Sequence, residues 1–312
     1  MIRTYKGSDI DAIIEILNNE MPYTPINKRG FVKNFLLDLN FDENGFFVAE
    51  EGGEIKGFVQ VVIRKIPVDV GGSLNEDEAY INIIGLKNKE DICGGLGSEL
   101  IKKAEEYICG FGKRNIFMSH YTPNYLYQGI NTEYTDYVEL FKSAGYDDTI
   151  RNASISIDLF KYRRPKDIDE LKQKREREGF IFTHLKEEYI PSLMRFWSPG
   201  WNHRFRRLIN ETMDFEKVNL IVYNNEVIGC NVFGDPYSSE ERFGPYGVKD
   251  EFRGKGFGQI LLHDCLTEMK NRGLQRAWAQ STPIASSATH VYEKAGFVRT
   301  GEYIIFKKAF SE

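Results

Sequence analysis

The sequence predicts an α+β protein, of mixed α/β content, that is built from two similar domains. Its 312 residues favour two domains, since one domain usually takes roughly 100–200 residues. The same order of strands and helices occurs twice along the chain. Two glycine motifs also recur about 150 to 160 residues apart, which indicates duplication of a whole domain. They are Gly95-Leu96-Gly97 with Gly256-Phe257-Gly258, and Ala144-Gly145-Tyr146 with Ala295-Gly296-Phe297.

In the first half, the spacing of apolar residues and the turn residues predict ten elements. In order they are strand Ile2–Tyr5, a helix capped by Ser8 that runs through Leu17, helix Lys28–Leu39, strands Gly45–Glu50 and Ile55–Ile63 joined by the turn Glu51–Glu54, strand Ala79–Gly85, helix Leu96–Cys109, strand Asn115–Ser119, helix Thr132–Ala144 and strand Ala153–Leu159.

The second half repeats this order. The elements are strand Phe180–His184, helices Glu187–Trp197 and Phe205–Met213, strands Val218–Tyr223 and Val227–Phe233 with a turn at Asn224-Asn225, strand Gly244–Val248, helix Gly258–Arg272, strand Arg276–Thr282, helix Ser286–Ala295 and strand Glu302–Lys308. Between the halves, Lys161–Arg177 is dense in charge and poor in large apolar residues, as expected of a solvated helix or linker. We therefore predict domains at residues 1–162 and 163–312.

Composition argues against several classes of protein. The net charge of −5 gives no indication of binding to nucleic acid or to anionic membranes. The cysteines, Cys93, Cys109, Cys230 and Cys265, form no C-x-x-C pair, so we expect buried or half-buried free thiols in a reducing cytoplasm and no zinc site. The first residues lack the apolar core of a signal peptide, and no apolar run approaches the roughly 20 residues that span a bilayer.

The segment from Val248 to Gln259 carries the strongest functional signal. A strand ends there, glycines stand at three alternate positions from Gly254, and an amphipathic helix begins. Glycines at such a junction permit left-handed backbone and close approach of a ligand. The first amides of the helix have no partner and favour an anion. A pyrophosphate fits this site, and Arg253 and Lys255 add positive charge that its oxygens can use.

The alternative interpretation is a glycine-rich turn that only packs a helix against a sheet. Two other nucleotide motifs fail on spacing. The chain has no G-x-x-x-x-G-K-[ST], so the segment is not a P-loop. Leu261 stands where the last glycine of the dinucleotide motif G-x-G-x-x-G belongs.

The segment resembles the acetyl-CoA loop of the GNAT N-acetyltransferases, whose pattern is [RQ]-x-x-G-x-[GA] after a strand that ends V-x-P-x-x. Arg253, Gly256 and Gly258 match the loop, and Val248 matches the strand, with Asp250 in place of the proline. A second family pattern, A-x-x-x-Y-x-K-x-G-F, follows some thirty residues later. It is matched by Ala288, Tyr292, Lys294, Gly296 and Phe297.

The resemblance implies a fold and a chemistry. Each domain is expected to have a mixed, mostly antiparallel sheet of six to seven strands, flanked by about four helices. The tandem form is similar to mycothiol synthase and other two-domain GNAT proteins. It is also similar to the tandem aminoacyl-transferases that use aminoacyl-tRNA, but Arg253 and the CoA loop argue against those. The co-substrate implied is acetyl-CoA, with no metal.

The resemblance also assigns roles to residues. The backbone of Tyr246, Gly247 and Val248 would hold the acyl-pantetheine arm like an added strand. The pyrophosphate would bind at Arg253, Gly254, Lys255, Gly256, Phe257, Gly258 and Gln259. Tyr292 matches the usual acid, and a phenol with a pKa near 10 keeps its proton at neutral pH. The alternative for Tyr292 is an aromatic residue packed into the core.

The general base is not identified by the sequence. Gln280 stands where some relatives have a glutamate, and a glutamine cannot act as a base. Ala285 stands where the family often has an asparagine. The remaining candidates are Glu240, Glu241, His290 or the C-terminus acting through water, or the amine arrives neutral. We expect His263 to be a helix-surface residue.

The first half departs from these patterns. Ile92 replaces the arginine, Phe141 replaces the tyrosine, and Glu90 and Asp91 would repel a pyrophosphate. We predict that this half keeps the fold and lacks acetyltransferase activity, while residual CoA binding stays open. The aromatic loop Tyr121–Tyr127 could shape a substrate cleft or only cover the core.

Three functions therefore remain in view. The first is transfer of acetyl from acetyl-CoA to a primary amine of a small molecule, such as an aminoglycoside, polyamine, amino acid or aminosugar. The second is a CoA- or acyl-CoA-binding regulatory module without turnover. The third is acetylation of a protein N-terminus or lysine. The sequence assigns neither the acceptor nor the oligomeric state.

Overall fold

The computed structural model describes residues 1–22, 25–67, 74, 77–121, 127–196, 214–234, 239–284 and 287–310. The chain divides into two compact units. Unit 1 consists of Met1–Asn152 together with Gly301–Glu312, and unit 2 consists of Ala153–Thr300. Both units combine a mostly antiparallel sheet with helices, as the sequence predicts. No helix in the described ranges is long and apolar enough to cross a membrane.

Unit 1 is built around six strands in the order β1-β2-β3-β4-β5-β13, in which β13 is the last strand of the chain, Val298–Ala309. Neighbouring strands in this order pair antiparallel, except for β4 and β5, which pair parallel. The strands are β1 (Ile2–Thr4), β2 (Phe46–Glu51), β3 (Glu54–Val62), β4 (Glu78–Leu86), β5 (Asn115–Met118) and, pairing with β13, the short β6 (Ile130–Asn131). The helices are α1 (Ile10–Glu20), α2 (Lys28–Phe31), α3 (Lys89–Cys93), α4 (Leu96–Gly110) and α5 (Thr135–Ser143).

Helix α4 shows why these elements form. Leu100, Ala104 and Ile108 follow one another at intervals of four residues, so they lie on one face, and all three are fully buried. This face packs on β2, β3 and β4. The predicted helix at Lys28–Leu39 is shorter than expected, since α2 is followed by a π-helical turn that ends at Leu36. Leu37 is 71% exposed, so it has no buried surface to hold it in a helix.

Unit 2 contains a four-stranded antiparallel sheet in the order β11-β10-β9-β8, together with β7 and β12, which are neighbours at the end of the other sheet of the chain, next to β13. The strands are β7 (Asp147–Asp158), β8 (Ile181–His184), β9 (Val218–Tyr223), β10 (Glu226–Phe233), β11 (Phe243–Val248), β12 (Arg276–Pro283) and β13 (Val298–Ala309), of which β7 begins and β13 ends in unit 1. The helices are α6 (Lys166–Arg177), α7 (Ile190–Phe196), α8 (Phe257–Asn271) and α9 (Ser287–Ala295). The predicted helix Phe205–Met213 lies outside the described residues.

Both predicted hairpin turns are confirmed by the backbone. Gly52 and Gly53 have φ values of 59° and 82°, and Asn224 and Asn225 have φ values of 48° and 63°. Two consecutive left-handed residues give a turn whose twist matches that of the flanking strands. Glycine and asparagine are the residues that adopt this conformation most readily.

The observed units differ from the predicted boundary between residues 162 and 163. The last strand, β13, belongs to unit 1 from Gly301 onwards. There it pairs with β5, and Ile304 and Phe306 are buried in the core of unit 1. In turn Ile155 and Leu159, which the sequence assigned to the first domain, are buried in the core of unit 2. Side-chain burial therefore decides the division, and sequence order does not.

Candidate active site

The glycine loop of unit 2 joins β11 to α8. After β11 ends at Val248, a single helical turn is followed by Gly254 and Gly256, whose φ values are 75° and 85°. Gly256 is the N-cap of α8. A residue with a Cβ is strained in this left-handed conformation, so both positions favour glycine.

The amides of this loop are available to a ligand. Within the described ranges, no acceptor is found for the backbone N–H groups from Gly254 to Gln259. The first N–H groups of a helix lack partners within the helix, and its dipole makes its N-terminus attractive to anions. Successive amides that point into one cleft form a binding site for phosphate groups.

Position 258 requires glycine because a neighbouring side chain leaves no room for a Cβ, and not because of its backbone angles. The Tyr246 hydroxyl donates a hydrogen bond of 2.6 Å to the Gly258 carbonyl oxygen. A Cβ at Gly258 would lie 2.6 Å from the same hydroxyl oxygen, which is too close for any real contact. Tyr246 thus ties the end of β11 to the first turn of α8, directly behind the free amides.

A cleft of about 440 Å³ lies along this loop. Its wall includes every residue that the sequence proposes for co-substrate binding except Lys255, and it adds Phe252, Ala288 and Val291. The Lys255 ammonium donates to the Glu251 carbonyl oxygen at 3.1 Å and so is turned back onto its own loop. Arg253 does line the cleft, where its side chain is 67% exposed and its guanidinium pairs with Asp250 at 2.8 Å.

The outer edge of β11 also opens onto this cleft. On one side β11 pairs with β10, with Gly247 opposite Cys230 and Tyr246 opposite Asn231. On the other side, among the described residues, the β-bridge to β12 lies just before β11, between Arg242 and Trp278. Beyond that bridge the backbone from Tyr246 to Val248 is free to pair with an extended ligand, as a sheet edge pairs with an added strand.

Tyr292 lies in the aromatic layer behind the cleft. Its ring is 5.8 Å from that of Tyr246, 5.6 Å from that of Phe243 and 5.5 Å from that of Phe297. Its side chain is buried, and this burial raises the pKa of the phenol above its ordinary value. The phenol therefore stays protonated through the neutral range. It is placed behind Tyr246, which lines the cleft, and is not itself part of the wall.

The two glutamates named as candidate bases are both engaged elsewhere. Glu240 forms an ion pair with Lys217 at 2.6 Å. Glu241 accepts hydrogen bonds from the backbone amides of Gln275 and Arg276 and pairs with the Arg276 guanidinium at 3.2 Å. These contacts give both carboxylates a structural role. His290 is exposed on α9, and the C-terminal residue lies outside the described residues.

The prediction that His263 lies on the helix surface is wrong. His263 is only 6% exposed, and its Nδ1 is 2.8 Å from the Tyr162 hydroxyl. Burial lowers the pKa of its imidazole to about 4, so the side chain is neutral at pH 7. The physical reason is that α6, with Tyr162 just before it, covers this face of α8. Among the described residues no group of three or more potential ligands could hold a metal ion.

The corresponding region of unit 1 is filled by its own side chains. Gly95 precedes α4 in a left-handed conformation, with φ 102°, so the turn itself is retained. The buried Tyr137 hydroxyl, however, accepts a hydrogen bond of 2.9 Å from the amide of Leu86, the last residue of β4. Leu140 fills the space in front of Gly97, where a Cβ would lie 2.8 Å from its methyl carbon.

The residue that closes this region is Tyr137. Its position in the sequence could have indicated this, although the family patterns do not include a tyrosine there. Tyr137 precedes Phe141 by four residues, as Ala288 precedes Tyr292. An alanine at this position leaves room beside the strand, and a tyrosine fills it. Phe141 is fully buried and stacks on Phe306 at 5.3 Å, so it acts as a core residue. The predicted loop Tyr121–Tyr127 lies mostly outside the described residues, but its two end residues are buried.

Three comparisons place these features among known proteins. The family model described as "Acetyltransferase (GNAT) family" matches residues 182–297. The [ribosomal protein bS18]-alanine N-acetyltransferase of Haemophilus influenzae is 29% identical over 77 residues, which are 25% of this chain and 51% of that protein. The chain therefore spans about half the length of this curated relative.

Solved structures extend the likeness of the fold to the whole chain. The glucosamine N-acetyltransferase region of a fungal multi-domain β-N-acetylglucosaminidase aligns with a TM-score of 0.78 at 17% identity, covering 98% of this chain and 38% of that one. A tandem GNAT protein from the clavulanic acid biosynthesis pathway aligns with a TM-score of 0.62 at 12% identity, covering 100% of this chain and 99% of that one. At these identities the likeness shows the fold, here a tandem arrangement of two GNAT-like units.

Proposed function

From the match of residues 182–297 to the GNAT acetyltransferase family model, we propose that the chain is an N-acetyltransferase. It would move the acetyl group of acetyl-CoA to a primary amine of a small molecule. Unit 2 would bind the co-substrate and carry out the reaction, and unit 1 would be inactive. The observation that carries the proposal is the row of free amides from Gly254 to Gln259, because it faces a cleft and suits a diphosphate.

The rest of the cleft supports the same co-substrate. The open backbone from Tyr246 to Val248 suits the amide groups of a pantetheine arm, which can pair with it as an added strand. The Arg253 guanidinium is exposed at the cleft and can exchange Asp250 for a phosphate oxygen, since both partners are anions. These groups bind and orient the donor, and proximity is a large part of the rate gain in such a reaction.

The chemistry then needs one proton donor and one neutral amine. The amine nitrogen attacks the thioester carbonyl carbon, the carbon–sulfur bond breaks, and the electron pair of that bond leaves with sulfur as a thiolate. Tyr292 would give its phenolic proton to this sulfur, which requires the sulfur to reach past the Tyr246 ring, because Tyr292 does not line the cleft. Burial raises the pKa of this phenol, so its hydroxyl keeps its proton at neutral pH. Because Glu240 and Glu241 are paired, we propose that the amine arrives neutral. The proton that its nitrogen releases as the amide forms passes to the Tyr292 phenolate and restores the phenol.

The test combines binding and turnover. We expect calorimetry to show CoA binding, and a thiol-reactive dye to show CoA release from acetyl-CoA when a panel of primary amines is supplied. Tyr292→Phe should lower kcat by about 10²- to 10⁴-fold, the usual contribution of a positioned acid, with the Kd of CoA unchanged. Background CoA release across the whole panel, with CoA bound normally, would refute the proposal.

Two other functions remain as outcomes of that experiment. A regulatory module that binds CoA without turnover is favoured by the engaged carboxylates, and it predicts CoA binding with no amine-dependent release. A protein N-acetyltransferase is favoured by the Haemophilus relative, whose name gives an alanine of a ribosomal protein as its substrate. That function predicts release with peptides that carry a free N-terminus or a lysine, and none with small amines.

A further inference from the structure

Helix α6 contacts the glycine loop behind the cleft. Arg175, near the end of α6, donates two hydrogen bonds to the backbone carbonyl oxygen of Lys255, from Nη2 at 2.8 Å and from Nε at 3.2 Å. Leu171, one turn earlier, lies under Gly256, where a Cβ would be 2.5 Å from its methyl carbon. Neither side chain lines the cleft, so both contact the loop away from it.

The Arg175 contact fixes the direction of a loop amide. Lys255 and Gly256 are joined by a trans peptide bond, in which the carbonyl and the following N–H point in opposite directions. Because the Lys255 carbonyl is held towards Arg175, the Gly256 N–H points away from Arg175. Gly256 lines the cleft, and its N–H has no acceptor among the described residues. The arginine therefore holds this amide on the side of the loop that faces the cleft.

Arg175 is itself held firmly in place. Its side chain is 17% exposed, its guanidinium lies 5.2 Å from the ring centre of Phe257, and it pairs with Glu178 at 2.6 Å. Phe257 is the first residue of α8, so one side chain contacts both the loop and the start of the helix. An arginine suits this task because its planar fork donates two hydrogen bonds to one acceptor and stacks on an aromatic ring.

A second set of contacts anchors α6 along α8. Asp264 of α8 pairs with Lys172 at 3.0 Å and with Arg164 at 2.9 Å. The Asp264 side chain is only 16% exposed, and the Arg164 side chain is 17% exposed. Ion pairs with this degree of burial restrict the two helices more than exposed pairs do. Helix α6 thus forms a fixed support from which Arg175 reaches the loop.

We infer that Arg175 is a positioning residue for co-substrate binding, which acts by orienting the Lys255–Gly256 peptide towards the diphosphate of CoA. The inference rests on the proposed function of unit 2 as the acetyl-CoA site. It gives the charged segment between the two repeated halves a role in the site, although none of its side chains lines the cleft. A fragment of unit 2 that begins after α6 would lack this contact.

The experiment compares two ligands with the full-length chain. Calorimetry measures the Kd of CoA, and ligand-observed NMR measures the Kd of pantetheine, which lacks the diphosphate. Arg175→Gln should weaken CoA binding by about tenfold, equivalent to about 1.4 kcal/mol, and leave pantetheine binding unchanged. Arg175→Lys keeps the positive charge but loses the planar guanidinium that donates two hydrogen bonds to one acceptor. The Kd of CoA should therefore rise, but by less than in Arg175→Gln. Arg177→Gln is the matched control, since Arg177 is exposed on the same helix.

The outcomes separate this inference from the function on which it rests. If the wild-type chain does not bind CoA, the proposed co-substrate is wrong. If the wild type binds CoA and both Arg175 variants bind it equally well, only the role of Arg175 is wrong. An equal loss for CoA and pantetheine in the Arg175 variants would also contradict it, because that pattern indicates general damage to unit 2. Should Arg175→Gln not fold, the Arg175→Lys variant alone decides.

Discussion

Single residues in unit 2 take their roles from contacts that no local pattern specifies. Gly258 has helical backbone that would accept an alanine, yet the Tyr246 hydroxyl occupies the place of its side chain. His263 has the spacing of a surface residue and is buried against Tyr162. In both cases the deciding neighbour lies on another element, 12 residues away in the first pair and 101 in the second. The identity of such residues is meaningful only when the packing partner is known.

The buried state of His263 predicts a dependence of stability on pH. An imidazole in the unfolded chain has a pKa near 6.5, and in the fold burial lowers it to about 4. The unfolded state therefore binds more protons between these values, so stability is complete above about pH 6.5 and is lost as the pH falls towards 4. The loss is at most about 1.4 kcal/mol per pH unit in this window. The charged side chains that act on the His263 imidazole are Arg164, Asp167, Asp169 and Asp264.

The measurement is the free energy of unfolding of unit 2 in urea at several pH values, followed by tryptophan fluorescence. All three tryptophans fall within residues 153–300, so this signal reports on unit 2. His263→Gln should flatten the slope between pH 6.5 and pH 4, whatever its effect at neutral pH. His290→Gln, at an exposed position, should keep the wild-type slope. Equal slopes for all three proteins would mean that His263 titrates normally in the fold.

At the scale of elements, the two strand–loop–helix units share a backbone path and differ in what fills the space beside it. In unit 2 the edge of β11 opens onto a cleft. In unit 1 the amide at the end of β4 is bonded to the Tyr137 hydroxyl, and Leu140 covers Gly97. Glu90 and Asp91, in the first turn of α3, add negative charge just before the loop. We propose on these grounds that unit 1 does not bind CoA.

This difference predicts one CoA site per chain. Calorimetry should give a stoichiometry of one, and Gly258→Val should abolish binding entirely because its side chain collides with the Tyr246 hydroxyl. Tyr137→Phe removes a hydroxyl from unit 1 and should leave both Kd and stoichiometry unchanged. A stoichiometry of two, or one remaining site in the Gly258→Val variant, would show that unit 1 still binds the co-substrate.

For the whole molecule, the main feature is that the chain crosses between its two compact units more than once. β13 completes the sheet of unit 1, although it lies at the end of the second repeat. Ile155, Ile157, Leu159 and Tyr162 are buried in the core of unit 2, although they lie in the last strand of the first repeat or directly after it. The units therefore cannot be separated by one cut in the sequence, and a fragment that ends at residue 162 would lack a strand of its sheet.

Because β13 completes the sheet of unit 1, we predict that the stability of unit 1, and not that of unit 2, depends on the C-terminal strand. Phe306 is fully buried in the core of unit 1, so Phe306→Ala should destabilise that unit by about 3–5 kcal/mol. Hydrogen exchange followed by mass spectrometry should increase in β5 and α5, and should stay unchanged in β9 and β10. Phe160→Ala, at a side chain 79% exposed, is the control. Faster exchange in β9 and β10 instead would support the division by sequence order.

The sequence alone determined the order of elements, the hairpin turns, the doubling of the fold and the loop at Val248–Gln259. These depend on local physics: apolar spacing selects helix or strand, and glycine or asparagine permits left-handed backbone. Only the tertiary structure decided the division into units, the burial of His263, the closure of the cleft in unit 1 and the contact of Arg175 with Lys255. Each of these depends on side chains that meet across long stretches of chain, 80 residues in the case of Arg175, and sequence periodicity carries no information about such partners.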